Sequence, residues 1–510
     1  MPNELLPPLD WRGWAFVAAS AVVLLWDVFL AAQIARARRQ RRTFTALTAI
    51  CGLLIAPALL LAVATSTMLT GRATYLAAWI WPATLAVYVV QSGYALFRRL
   101  VTPLVALPIF LLDLALFTAS AVRFASGTIA ELPPLLLGAP AAVSGTLGLV
   151  FGRAALWSPL VLLPPLLAPA YPARWRVSRT FRALLATTAA VWVALIAVEY
   201  PRAVRAAASF SALDAGLLQA RPPGDFALGL RILPALRGAP PPLSLYNDLG
   251  LADTLDVAII SVVIEPAGTR GAALDSLASV LEDVRRDSVL LAVSLGWGAG
   301  DRQAFRAAPA AFAARRLAMV DQVVRRLRPD VLLPALDPMD AGRAALGDVP
   351  LDWWRDYFTN ASRLAHRLRP RTRVALAASA YTPADSALYA WAAGSEAIDL
   401  TGFTLAPSYG GGASLAARIR AAERWMRGTT KDQWVFAARG YPRLFGEANH
   451  ERGIWATLAW ATTQRRVKAL IIDGAGDYEA LVGLRAPGGR LRPVTAAVDR
   501  ARRALEEATR

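Results

Sequence analysis

RPDVLLPALDP, Arg328–Pro338, decides the fold. Its apolar part, Val331–Asp337, is short, branched and nearly continuous, and it ends on a carboxylate. A run of this kind suits a strand buried on both faces, as in a parallel sheet. Working outward, the same type of run recurs at Phe226–Leu233, Val257–Glu265 and Val289–Leu295 on one side. On the other side it recurs at Val374–Ala380, Ile398–Ala406, Trp434–Gly440 and Val467–Gly474. Helical stretches lie between most of them: Gly271–Arg285, Ala310–Leu327, Leu351–Leu368, Ser414–Met426 and Glu447–Arg465, several with apolar residues at three- and four-residue spacing. Eight β/α units in a segment of this length predict a closed (β/α)8 TIM barrel, which takes about 250 residues. A doubly wound sheet is the alternative, but no G-x-G-x-x-G follows the first run.

Upstream the composition changes. The chain has 510 residues, 56% of them hydrophobic, with a mean hydropathy of +0.40. The excess is concentrated before residue 200. A bilayer-spanning helix needs about 20 mostly apolar residues. Trp14–Ile34, Thr45–Met68, Thr74–Leu96, Val101–Val122 and Ala183–Glu199 qualify, and the proline-rich Leu132–Tyr171 adds one more. The expected organisation is a multi-pass α-helical membrane domain over 1–205 with about six crossings, a linker over 206–224, and the barrel over 225–510. The arginine-rich loops Ala35–Arg42, Arg98–Arg99 and Arg174–Arg182 fall on the cytoplasmic side in the six-crossing arrangement. That puts the chain in a bacterial cytoplasmic (inner) membrane with the barrel on the extracytoplasmic side. Seven crossings would reverse the barrel's side. Asp27 and Asp113 fall inside crossings, where an acid is costly and marks a functional position by default.

The net charge is +18 and the sequence pI about 10.9. Much of the arginine borders apolar stretches and the rest is spread along helices, so nucleic acid is not an expected partner. Arginine far outnumbers lysine and alanine is abundant, as in proteins from GC-rich bacterial genomes. The single cysteine, Cys51, excludes an internal disulfide and a CxxC motif. His366 and His450 are the only histidines and neither has a ligand-like neighbour, so no metal site and no cofactor are expected.

A barrel does its chemistry at the C-terminal ends of its strands. Those ends carry Arg231, then Glu265, Trp297, Asp337 and Asp340, Tyr381, Tyr409, Arg439 and Tyr441, and last Asp473 and Asp477. Aromatic rings stack on pyranose faces, and carboxylates accept hydrogen bonds from hydroxyls. The set therefore points to a carbohydrate, with Glu265, Trp297, Asp340, Tyr381, Tyr409, Arg439, Tyr441, Asp473 and Asp477 as candidate ligand contacts.

Three segments resemble the clan A glycoside hydrolases, whose fold is a (β/α)8 barrel. Arg328–Pro338 is similar to the strand-four segment ending in Asn-Glu-Pro. WVFAARGYP, Trp434–Pro442, is similar to the strand-seven segment Trp-Ile-Thr-Glu-x-Gly-Tyr-Pro, with Glu451–Thr463 as the helix after it. Tyr478–Pro493 is similar to the closing turn and hairpin. The resemblance implies an acid/base at Asp337 and a nucleophile at the strand-seven position, with the two carboxyls about 5–5.5 Å apart. The sequence departs from that pattern. Leu336 precedes Asp337 in place of Asn, and the strand-seven position is Ala438, followed by Arg439. Alanine cannot attack an anomeric carbon.

The expectation is a catalytically degenerate glycoside hydrolase-like protein that binds or positions an extracytoplasmic polysaccharide, with the bilayer and other envelope-assembly membrane proteins as further partners. One alternative is an active inverting enzyme built from Glu265, Asp337, Asp340, Asp473 and Asp477, with carboxyls about 6.5–9.5 Å apart. Another is a transporter or assembly subunit that works through Asp27 and Asp113 and uses the barrel as a scaffold.

Overall fold

A computed structural model describes scattered positions between residues 86 and 118, and from 205 to 507 all but residue 207 and the segments 233–241, 270–271, 286–288, 408–411, 441, 443–446, 477–482 and 487–488. The chain divides into two compact units: Met1–Ala208 with Ser408–Ser414, and Ser209–Pro407 with Leu415–Arg510.

In the first unit, Asp113 is fully buried, as are Gln91 and Ser92. Asp27 and most of the stretches read as crossings lie outside the described residues. Among the described residues no helix is long and apolar enough to cross a membrane. This corrects the expected multi-pass membrane domain: a crossing needs about 20 mostly apolar residues in one helix, and no described helix supplies them.

The second unit holds a closed barrel of eight parallel strands in sequential order. These are β1 (Ala227–Arg231), β2 (Ile259–Ile264), β3 (Leu290–Leu295), β4 (Val331–Leu333), β5 (Arg373–Ala378), β6 (Leu400–Leu405), β7 (Gln433–Ala438) and β8 (Val467–Ile472). A helix follows each: α1 (Pro242–Thr254), α2 (Ala272–Arg285), α3 (Pro309–Leu327), α4 (Leu351–Leu368), α5 (Pro383–Gly394), α6 (Gly412–Met426), α7 (Glu447–Thr463) and α8 (Pro493–Glu507). β1 closes on β8 through the pairs Ala227↔Ala469 to Leu230↔Ile472. The strands are shorter than the apolar runs that predicted them. In β4 the ladder stops at Leu333 because Pro334 has no N–H to donate.

One buried cluster draws on seven strands and explains how the barrel is filled. It contains Ile259, Ala292, Val331, Leu333, Ala375, Ala377, Leu400, Trp434, Phe436, Ala469 and Ile471. Within each strand the members are two apart, so they share one face. Only the inside of a closed barrel brings that face together from opposite strands. Trp434 and Phe436, with centroids 5.7 Å apart, supply most of the volume. Small residues on the facing strands make room for them. A Cβ at Gly402 would lie 2.8 Å from the Phe436 ring and collide with the Trp434 carbonyl. The register of β7 shifts against both neighbours, and such irregularities re-aim side chains at barrel rims. The shift leaves Ala438 beside Leu405 and Ile472.

Candidate functional site

The mouth of the barrel is organised by two arginines and two aspartates. Arg231, the last residue of β1, donates from Nη1 to Asp473 Oδ1 at 2.8 Å and from Nη2 to the Phe436 carbonyl at 2.9 Å. Asp473, one residue past β8, also accepts from Arg439 Nε. Arg439, one residue past β7, reaches across to Asp337, with Nη2 3.6 Å from Oδ2. The other oxygen of Asp337 accepts a 2.7 Å hydrogen bond from Thr404 Oγ1 on β6. Four strand ends are thus joined in one alternating chain of charges. Burial by itself pushes the Asp473 carboxyl up, but Arg231 and Arg439 outweigh it and hold the pKa below the usual carboxylate range.

Asp337 is buried and has a φ of 43°. This left-handed backbone is reached by few residues, Asp among them. Its carbonyl accepts from the N–H groups of Asp340 and Gly342, closing the π-helical turn Pro338–Gly342. Asp340 is exposed on that turn. Desolvation by the protein around its carboxyl and, next, the Asp337 charge push its pKa up, while Arg418 and Arg439 pull it down. At the strand-seven position Ala438 is completely buried. A methyl group and a guanidinium therefore stand where a nucleophilic carboxylate would be required.

The aromatic residues are fastened in place. Trp297 donates from Nε1 to the Leu336 carbonyl at 2.8 Å, and the Arg316 guanidinium lies 4.3 Å from its ring centroid. Arg316, on α3, is itself buried and donates to the carbonyls of Leu295, Gly296 and Pro334. Tyr381 is buried, with its hydroxyl on the Thr404 carbonyl and its ring stacked on Trp425 at 5.5 Å. Its φ of 57° is held by Asp385, whose Oδ2 accepts from the N–H groups of Ser379, Ala380 and Tyr381. Burial pushes the Asp385 carboxyl up to about 7 against those three bonds. Glu265 is exposed at the end of β2.

The structure thus brings Asp337, Arg439 and Asp473 into direct contact. Asp340 sits in the turn closed by Asp337, and Trp297 is bonded to the residue before Asp337. Tyr409, Tyr441 and Asp477 lie outside the described residues. Sequence reasoning missed Thr404, Arg316, Arg418 and Asp385, although signals existed. Thr404 is one of two hydroxyls inside the mostly apolar run Ile398–Ala406. Arg316 falls on the apolar stripe of α3 with Phe312, Met319, Val320 and Val323. Thr382-Pro-Ala-Asp385 is a capping pattern, and Thr382 does cap α5 by accepting from the Asp385 N–H.

No family model matches the chain, and no curated protein matches it. Among solved structures it is similar to virulence factor SghA from Agrobacterium tumefaciens, at 11% identity over 57% of this chain and 99% of that one, with a TM-score of 0.40. It is also similar to the glycoside hydrolase family 30 subfamily 8 xylanase Xyn30A from Clostridium acetobutylicum, at 14% identity over 56% of this chain and 72% of that one, with a TM-score of 0.39. A third is xylanase 10B from Thermotoga petrophila, at 10% identity over 58% of this chain and 100% of that one, with a TM-score of 0.38. Likenesses this remote say nothing of activity. The (β/α)8 barrel implied by the clan A resemblance is present in the chain itself.

Proposed function

We propose that the barrel is a glycosidase-like frame that binds a polysaccharide or oligosaccharide without cleaving it. The observation that supports this reading is the ion-paired chain Arg231–Asp473–Arg439–Asp337 beside the buried Ala438. Retaining hydrolysis needs two carboxyls facing one bond. Here the strand-seven carboxyl is absent, and Asp337 is committed to Arg439 and Thr404. At the rim the exposed Glu265 and Asp340 and the half-buried Trp297 face outward for hydroxyls and a sugar ring.

The test is a combined binding and hydrolysis assay of the full chain on a panel of neutral and acidic oligosaccharides, with Arg439→Ala and Asp340→Asn beside the parent. The expected result is binding without released product. Product formation that disappears in Asp340→Asn would replace this reading with an active, rearranged carboxylate site. A C-terminal reporter fusion tests the accompanying proposal that the barrel works outside the cytoplasm, where polymeric glycans are found.

A further inference from the structure

Two charged groups at the mouth remain outside the ion-paired chain. Arg418, on α6, is half-buried. Its Nη1 donates to the Ala406 carbonyl at 2.7 Å, and its Cζ lies 5.5 Å from the Tyr381 ring centroid. It has no carboxylate partner among the described residues, so Nε and Nη2 are unused donors. Asp340 is exposed, and its carboxyl has neither a hydrogen bond nor an ion pair among the described residues. The two charges are near enough to act on each other.

We propose that Arg418 forms an acid-recognising subsite that takes the carboxylate of a hexuronate residue in a glycan. The proposal rests on the carbohydrate-binding reading above and names the class of sugar. A guanidinium presents parallel N–H groups that match a carboxylate in a two-point contact. Stacking over the Tyr381 ring fixes the plane of the fork, and Asp385 fixes Tyr381 through its backbone. Arg231 and Arg439 are already occupied by Asp473 and Asp337, whereas Arg418 has donors to spare among the described residues. Asp340 faces Asp337 in its own turn, Arg418 from α6 and Arg439 from β7, with the buried Tyr381 phenol beside Arg418. In its protonated form it donates a hydrogen bond to the incoming carboxylate; ionised, it repels it. Affinity for the acidic sugar therefore weakens as pH rises through the Asp340 pKa.

The experiment is calorimetric titration of the full chain with oligogalacturonate, oligoglucuronate and mannuronate oligomers, each beside its carboxyl-methylated counterpart, and with inorganic phosphate. The variants are Arg418→Gln, Arg418→Lys and Arg363→Gln. Arg363 is exposed on α4, so its variant removes one positive charge away from the mouth. The expected result is about a tenfold preference for one acidic oligomer over its methyl ester, the size of one charge-assisted contact. Arg418→Gln should abolish the preference and leave ester binding intact, while Arg418→Lys keeps part of it and Arg363→Gln all of it. Equal affinity for acid and ester would overturn the subsite and leave the glycan-binding reading standing. Equal losses in Arg363→Gln and Arg418→Gln would trace the preference to the net charge of +18 and overturn it too. Phosphate that competes as well as the uronate would overturn the sugar assignment. No binding to any glycan, esters included, would overturn the parent reading and the subsite with it.

Discussion

The β3–β4 corner of the mouth and the β7–β8–β1 corner each hold arginine withdrawn from water, and they neutralise it differently. In the first, Arg316 is surrounded by the carbonyls of Leu295, Gly296 and Pro334. In the second, Arg231 and Arg439 share Asp473, and Arg439 also reaches Asp337. Carbonyl dipoles solvate a cation without cancelling its charge, whereas carboxylates cancel it. The first corner is a fastening that ties α3 to two strand ends and seats Trp297. The second is an electrically closed set in which the carboxylates are bound to guanidinium groups. The same residue type thus serves anchoring in one place and charge pairing in the other.

The comparison breaks most sharply at Asp473. Asp473→Asn leaves the buried Arg231 and the half-buried Arg439 without their shared counter-charge, and removal of one member of a buried pair costs about 3–5 kcal/mol. Urea unfolding of parent and variant measures the loss, and adding Arg439→Gln should recover part of it through their coupling. The cost should also depend on pH. Because the Asp473 pKa is held low in the folded chain, its stabilisation is present above the ordinary carboxylate pKa and is lost as pH falls through the folded value. A loss below about 1 kcal/mol near neutral pH would mean that the two guanidinium groups are hydrated rather than paired.

Arg316→Met comes next. It keeps most of the volume and removes one donor from each of three buried carbonyls, of which Leu295 keeps the Leu336 N–H and Pro334 the Tyr357 hydroxyl, with an expected cost of about 2 kcal/mol. No carboxylate pairs with Arg316 among the described residues, so this cost should be flat across the acid range in which the cost of Asp473→Asn fades. Parallel pH profiles for the two variants would remove the distinction between the corners.

The barrel was legible because all eight strands are buried on both faces and announce themselves as continuous apolar runs. Three helices, α1, α5 and α8, were not assigned from periodicity. In α5, PADSALYAWAAG is apolar nearly all round, so no stripe stands out. The alanine at the strand-seven position, Ala438, was legible from one position in a motif. The pairing of Asp337 and Asp473 through Arg439 was not, because these residues are brought together only by barrel closure. Upstream, hydropathy alone suggested crossings, and among the described residues no helix meets that expectation.

The smallest predicted effect sharpens the second corner from behind. Gly440, next to Arg439, lies so close to α7 that a Cβ there would overlap the His450 ring. The ring is buried and has no hydrogen-bond partner among the described residues. Burial, and then the Arg492 charge, push its pKa down to about 3. The imidazole is therefore neutral in the folded chain over a range where the unfolded chain takes up a proton near its ordinary value. The unfolded state binds more protons as pH falls below that value, so stability falls in the same direction. Between about pH 6.5 and about pH 5 the loss should approach 2 kcal/mol. The Asp473 contribution changes only at lower pH, so the two effects separate along the axis. His450→Phe, similar in volume and without a proton to bind, should abolish the loss in this window and cost less than about 1.5 kcal/mol at neutral pH. A ring that titrates near its ordinary value by NMR, or an acid loss that survives in His450→Phe, would show that Arg439 and its neighbours are backed by a hydrated helix face rather than by a dry one.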